Sequence, residues 1–158
     1  MNLFAQRHRA ATTANRVAER LINLSHEKQA PITNLKLQKL LYYAQAWHLA
    51  LYDGEPLFED AIEAWVHGPV VPSIFRQYKE FRWNPISKAE GSPLSERIER
   101  HLESVWTVYG RFDATTLERR THSERPWLET RDGLPLDVSS KNVITHDCMR
   151  TYYSSLLP

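Results

Sequence analysis

Cysteine is nearly absent: Cys148 stands alone, so no internal disulfide can form. Glycine is scarce too, with 5 residues against 5 Trp, 7 Tyr and 5 Phe, and no long stretch has the low-hydrophobicity, high-charge composition of disorder. Charge of one sign is missing, since 20 Lys and Arg nearly cancel 19 Asp and Glu. A formal charge of +1 gives no global field toward nucleic acid or an anionic membrane, so any such binding needs a local patch. There is no N-terminal apolar signal core and no uncharged run of about 18 residues able to span a bilayer, and the chain is expected in the cytoplasm. A phosphate-cradling glycine loop and a Gly-x-Ser-x-Gly elbow are also missing.

What remains is a 158-residue chain, 42% hydrophobic, long enough to bury about two thirds of its unfolded surface in one core. Residues 1–13, with Arg7, His8 and Arg9, read as an arm, and residues 14–158 as a single domain. From Ala14, the spacing of Val17, Ala18, Leu21, Ile22 and Leu24 predicts an amphipathic helix closed before Pro31. Thr33 is the expected N-cap of a long central helix reaching Tyr52, with Ile32 and Leu37 as a hydrophobic staple and Asp53-Gly54 as the stop.

Ile62 to Val66 alternates with a period of two and predicts a short strand ended by Gly68-Pro69, paired with Val70-Val71 or with Leu57-Phe58. Helical spacing returns at Ile74, Phe75, Tyr78 and Phe81, and Arg82 to Ser92 reads as a surface loop. Ser92-Pro93 predicts the start of another helix, with Glu96 and Arg100 as an exposed pair on it. Asp113 and Thr145 are expected caps of two more, running to about Arg120 and Ser155. The fold class expected is mainly α, a compact bundle of five to six helices around the central hydrophobic helix, with a minor β element.

Three segments stand out: Lys36 to Trp47, containing Leu37, Lys39, Leu40, Tyr42 and Tyr43; Glu63 to Pro72, containing Trp65, Gly68, Pro69 and Val70; and Thr121-His122 with Pro126-Trp127. Together they resemble the signature of the Panacea antitoxin domain, the family of SocA-like and phage-associated GepA-like proteins, over roughly residues 15–153. The resemblance implies an antitoxin of a bacterial or prophage toxin–antitoxin pair that neutralises a toxin encoded beside it by binding. Some relatives of this type deliver the toxin to a protease as adaptors, and some carry an added DNA-binding domain, for which this chain leaves no room.

Each conspicuous residue also has a plainer reading. Lys36 and Lys39 are expected to be solvated or to snorkel along their helix; Tyr42 and Tyr43 point to opposite sides, so that at least one is core. Gln38 and Gln45 share a stripe that is either a polar contact line or a solvated face. His48 falls in the apolar arc as a satisfied interior histidine, and Cys148 as a small hydrophobe. Gly68-Pro69 reads as a structural turn or as a rigid rim facing a partner, in which case Trp65, His67, Arg76 and Lys79 are the candidate toxin contacts.

His122 invites a hydrolase reading as a base, but no nucleophile motif accompanies it; Thr121 and His122 are expected to tie a loop while Trp127 pins it to the core. The seven dispersed histidines form no metal-ligand spacing, so no metal or cofactor is expected. Basic residues are interleaved with acidic ones and no helix-turn-helix is recognisable, which argues against specific DNA binding to the operon and leaves it as the alternative function.

The central helix generates the first prediction. Leu40→Asp places an unpaired charge on its most apolar face and should cost at least about 3 kcal/mol of a total stability of about 5–15 kcal/mol. Urea denaturation checks this, and a parental midpoint would show that Leu40 is not in the core.

Overall fold

The computed structural model describes residues 9–158; of the expected arm, residues 1–8, including Arg7 and His8, lie outside the described residues. The ten elements are α1 (Ala14–Glu27), α2 (Asn34–Leu51), β1 (Glu63–Trp65), β2 (Gly68–Val70), α3 (Pro72–Gln77), a 3-10 turn (Lys79–Phe81), α4 (Glu96–Tyr109), α5 (Ala114–His122), α6 (Arg125–Thr130) and α7 (His146–Ser155). Arm residues Ala11 and Thr12 donate to the carbonyls of Pro56 and Leu57, both at 2.9 Å.

Local sequence accounts for most helix starts. The side chains of Thr13, Thr33, Asp113 and Thr145 accept backbone N–H bonds at the heads of α1, α2, α5 and α7. The staple residues Ile32 and Leu37 are both buried as expected, and Ile144 and Met149 are buried in the same positions about the Thr145 cap of α7. At the end of α2, Gly54 adopts φ +83° and donates to the Leu49 carbonyl at 2.8 Å. Pro72 and Pro126 each enter a helix in its first turn, where a missing N–H costs nothing.

Three expectations need correction. α4 begins after Ser95, not Ser92-Pro93; the Pro93 carbonyl is taken by the Arg16 guanidinium at 2.8 Å, and Ser95 is followed by Glu96 and Glu99 in the first turn, where carboxylates meet the positive helix end. The helical spacing after Pro72 is split between the short α3 and the 3-10 turn. The segment around Pro126-Trp127, expected as a loop, forms α6, which brings the bundle to seven α-helices among the described residues. The Arg82 to Ser92 segment has no regular structure, and its Ile86 is buried and donates its N–H to the Ile32 carbonyl at 2.8 Å.

α2 packs against α1, α3, α4, α5, α7 and β2. Every residue from Leu37 to Ala46 is buried, so this stretch has no solvent face, and both Tyr42 and Tyr43 are core. Its polar side chains turn to the backbone of other segments. Gln38 accepts from Val71 N at 2.9 Å; Gln45 accepts from Leu57 N and donates to the Phe58 carbonyl, each at 2.7 Å. The open question about these two glutamines is thereby answered, since neither is solvated.

The hairpin is antiparallel, pairing Glu63 with Val70, Ala64 with Pro69 and Trp65 with Gly68. Gly68-Pro69 therefore opens the second strand; the turn itself is Val66-His67. Residues 142–144 line the other edge of β1, with Ala64 N donating to Asn142 O at 2.9 Å and Ile144 N to Ile62 O at 2.8 Å. No described helix is long and apolar enough to cross a membrane.

Two histidines sit inside the bundle. His48 is interior as expected but only half satisfied: its Nδ1 is paired with the Glu55 carbonyl at 2.7 Å, whereas its buried Nε2 has no hydrogen-bond partner among the described residues. His101 is bonded through Nε2 to the Ala44 carbonyl at 2.8 Å, and burial pulls its pKa from 6.5 down to about 4. Between those two values the unfolded chain binds a proton that the folded one refuses, so stability falls as pH drops from 6.5 toward 4. His101→Gln keeps a donor for Ala44 and removes this titration. Its urea midpoint should vary less than the parent's across that window, the residual slope coming from other groups shifted by burial, among them His48 and His122, whose pKa values are lowered, and Glu124, whose carboxyl is raised.

Candidate functional site

The three conspicuous sequence segments meet beneath the hairpin. Lys39, which was expected to snorkel, is instead completely buried and donates from Nζ to the Pro69 carbonyl at 3.0 Å. The reason is local: Pro69 sits in a short strand whose carbonyl points at α2, and Lys39 is the donor of α2 that reaches it. Lys36 does behave as expected, half-buried, with its ammonium over the Trp106 ring and bonded to the Gly110 carbonyl.

Gly68 is required twice over. Its φ is +100°, and a Cβ there would lie 2.9 Å from Thr121 Oγ1 and 3.0 Å from Lys39 Cε. Thr121 is buried and donates to the Glu118 carbonyl at 2.7 Å. His122 stacks on Trp127 with ring centroids 3.9 Å apart, and Trp127 donates from Nε1 to the Trp65 carbonyl at 2.8 Å. The expected pinning of this segment by Trp127 is what is found. Leu37, Leu40, Tyr42 and Tyr43 are fully buried on α2, and Val70 and Pro69 are buried in β2.

Sequence reasoning missed several contributors. Arg131 is buried under the hairpin, stacked 4.6 Å from the Trp127 ring centroid, and donates to the carbonyls of Ala64, Pro135 and Val138. Glu118 lies between two histidines, 2.9 Å from His67 Nδ1 and 3.9 Å from His122 Nε2. Its spacing of four from His122 was the available signal. Glu124 accepts from Tyr43 and Tyr153, and burial holds its carboxyl above the usual range. Cys148, expected among apolar neighbours, is half-buried beside Glu129, and burial raises its thiol pKa.

Chemically this interior is a latch. Lys39, Arg131, Trp127 and Gln38 donate to or accept from the backbone of the hairpin and its flanks, and burial lowers the pKa of His122. Among the described residues no group of three or more His, Cys, Asp or Glu is placed to hold a metal ion.

Above the latch the hairpin forms one wall of an open groove of about 380 Å³. Its lining is largely apolar, from Leu35, Trp65, Val66, Val70 and Phe75; His67 and residues 139–141 supply the polar part. Trp65 meets Phe75 edge-on, ring centroids 5.2 Å apart, and its Nε1 donates to Glu63 at 2.8 Å. The four candidate contact residues thus divide: Trp65 and His67 line this groove, whereas Arg76 and Lys79 line a separate polar depression with Glu80 and Arg82.

The family model described as Antitoxin SocA-like, Panacea domain, matches residues 37–128, a span that contains the latch from Lys39 to Trp127. The Antitoxin SocA of Caulobacter vibrioides (strain NA1000 / CB15N) is 32% identical over 134 residues, covering 76% of this chain and 71% of that protein. No solved structure matches the chain.

The buried lysine yields a signed prediction. Burial lowers its pKa from 10.5 to about 7, opposed by the nearby Glu118 carboxylate. Between pH 7 and 10.5 the unfolded chain holds a proton that the folded chain releases, so this group makes stability rise with pH across that window. Relative to Lys39→Met, the parent should gain stability from pH 7 to pH 10 and show a constant difference below 7. Paired urea titrations read this directly, and parallel curves would contradict it.

Proposed function

This chain belongs to the SocA-like, Panacea-domain family of antitoxins, and on that premise we propose that it neutralises a cognate toxin encoded by an adjacent bacterial or prophage gene through direct, stoichiometric contact. The observation that carries the reading is the apolar groove at the hairpin, an exposed concavity with two aromatic walls on a backbone latched from beneath. Large aromatic side chains on a rigid support are the usual anchors of protein–protein interfaces. Contact is assigned to the face carrying Trp65, His67, Arg76 and Lys79. The role is binding, carried out in the cytoplasm.

Co-expression tests it. Inducing the adjacent gene alone should arrest growth, and adding this chain should restore growth with the toxin level unchanged and a one-to-one complex recoverable. Restoration accompanied by protease-dependent loss of toxin would replace direct neutralisation with adaptor delivery. The double variant His67→Ala with Arg76→Glu, both at exposed positions, should melt like the parent and capture the toxin at least about tenfold more weakly. Unchanged capture would remove this face from the interface.

A further inference from the structure

The charge around the groove is unbalanced, although the chain as a whole carries only +1. Lys141 is the one Lys or Arg in its lining, which contains no Asp or Glu; the Glu63 carboxylate lies behind the Trp65 wall, bonded to its Nε1. Arg76, next in sequence to the wall residue Phe75, lies with Lys79 and Arg82 in the separate polar depression described above. None of these four cations makes an ion pair among the described residues.

Three acids of the surrounding segments have internal partners, Glu63 with Trp65 Nε1, Glu118 with His67, and Asp60 with Ser73 Oγ at 2.5 Å; the bonds from Trp65 and Ser73 orient their carboxylates without cancelling the charge. Glu80 is the acid left among the cations of the adjoining depression. An apolar notch with one unpaired lysine in its lining is complementary to an apolar side chain beside a carboxylate. Its volume of about 380 Å³ suits one or two side chains, near the lower end of the about 300–1,000 Å³ that small-molecule pockets occupy.

We propose that the groove receives a large apolar side chain from an acidic segment of the cognate toxin, with Lys141 and Arg76 meeting the flanking carboxylates. The proposal rests on the antitoxin reading and adds the chemistry of the partner. Trp65 Nε1 is already committed to Glu63, so the ring face is the surface offered to the incoming side chain. The cations act chiefly on encounter and register, the notch on residence.

The test uses the full chain, the purified product of the adjacent gene, and overlapping synthetic peptides spanning that product. Ser139→Trp plugs the groove from its exposed wall; Lys141→Glu reverses the exposed charge and leaves the core untouched. Ser139→Trp should weaken binding by at least about tenfold. Lys141→Glu should slow association and reduce its dependence on salt. The captured peptides should combine Asp or Glu with Leu, Ile, Phe or Trp. Parental affinity in both variants, or capture confined to basic peptides, would overturn the proposal while the antitoxin reading stands. A self-association of this chain abolished by Ser139→Trp would overturn it in favour of a second copy as occupant. If the parent captures neither the toxin nor any peptide, the antitoxin reading fails and this inference fails with it.

Discussion

A helix enclosed on all sides has no water to satisfy the segments packed on it, and here α2 supplies the missing partners from its own side chains. The hairpin and the stretch 55–58 are too short and irregular to pair all their backbone groups with each other. Gln38, Lys39, Gln45 and His48 bond to Val71, Pro69, Leu57 and Phe58, and Glu55. Leaving one such buried backbone group unpaired costs about 1–3 kcal/mol. These four side chains therefore decide where the non-helical parts lie, while the apolar residues of α2 supply the gross burial.

That division links the interior to the exposed groove. The hairpin is held from one side by Lys39, with Thr121 packed close against Gly68, from beneath by Arg131 and Trp127, and along its edge by residues 142–144. A two-stranded hairpin alone is marginally stable at best, so its order comes from these contacts. Immobilising Trp65 and Val66 in advance removes part of the entropy that an interface must otherwise surrender on binding. The unusual burial of a lysine is thus tied to the presentation of an aromatic surface a few ångströms away.

Signals confined to a few neighbouring residues were legible in the sequence. The caps at Thr33, Asp113 and Thr145, the staples, the Gly54 stop and the existence of a hairpin all depend on contacts within one turn or one strand pair. What escaped depends on distant partners. Lys39 reads as a snorkelling cation because its acceptor, Pro69, is thirty residues away, and Arg131 looks like a surface residue until the Ala64 carbonyl is folded over it. Ser92-Pro93 and Ser95 offer equivalent local caps, and the choice falls to Arg16, which takes the Pro93 carbonyl. The groove was half visible. Trp65 and His67 were identifiable from the turn, whereas Phe75 and residues 139–141 join them only through the tertiary fold.

The extent of the family match bears on how the two layers differ. It runs from residue 37 to 128, and so spans Lys39, Gly68, Thr121 and Trp127, while Arg131 and residues 142–144, which also hold the hairpin, lie beyond it. One wall of the groove, residues 139–141, lies beyond it, on a stretch fixed to the sheet edge by Asn142 and Ile144. A scaffold that must satisfy buried polar groups tolerates few substitutions, because each change leaves a partner unpaired. An exposed wall of Ser139 and Lys141 has no such obligation, and its side chains can change without disturbing the latch. The platform beneath the groove is therefore constrained by its buried polar contacts, whereas Ser139 and Lys141 on its outer wall carry no such constraint.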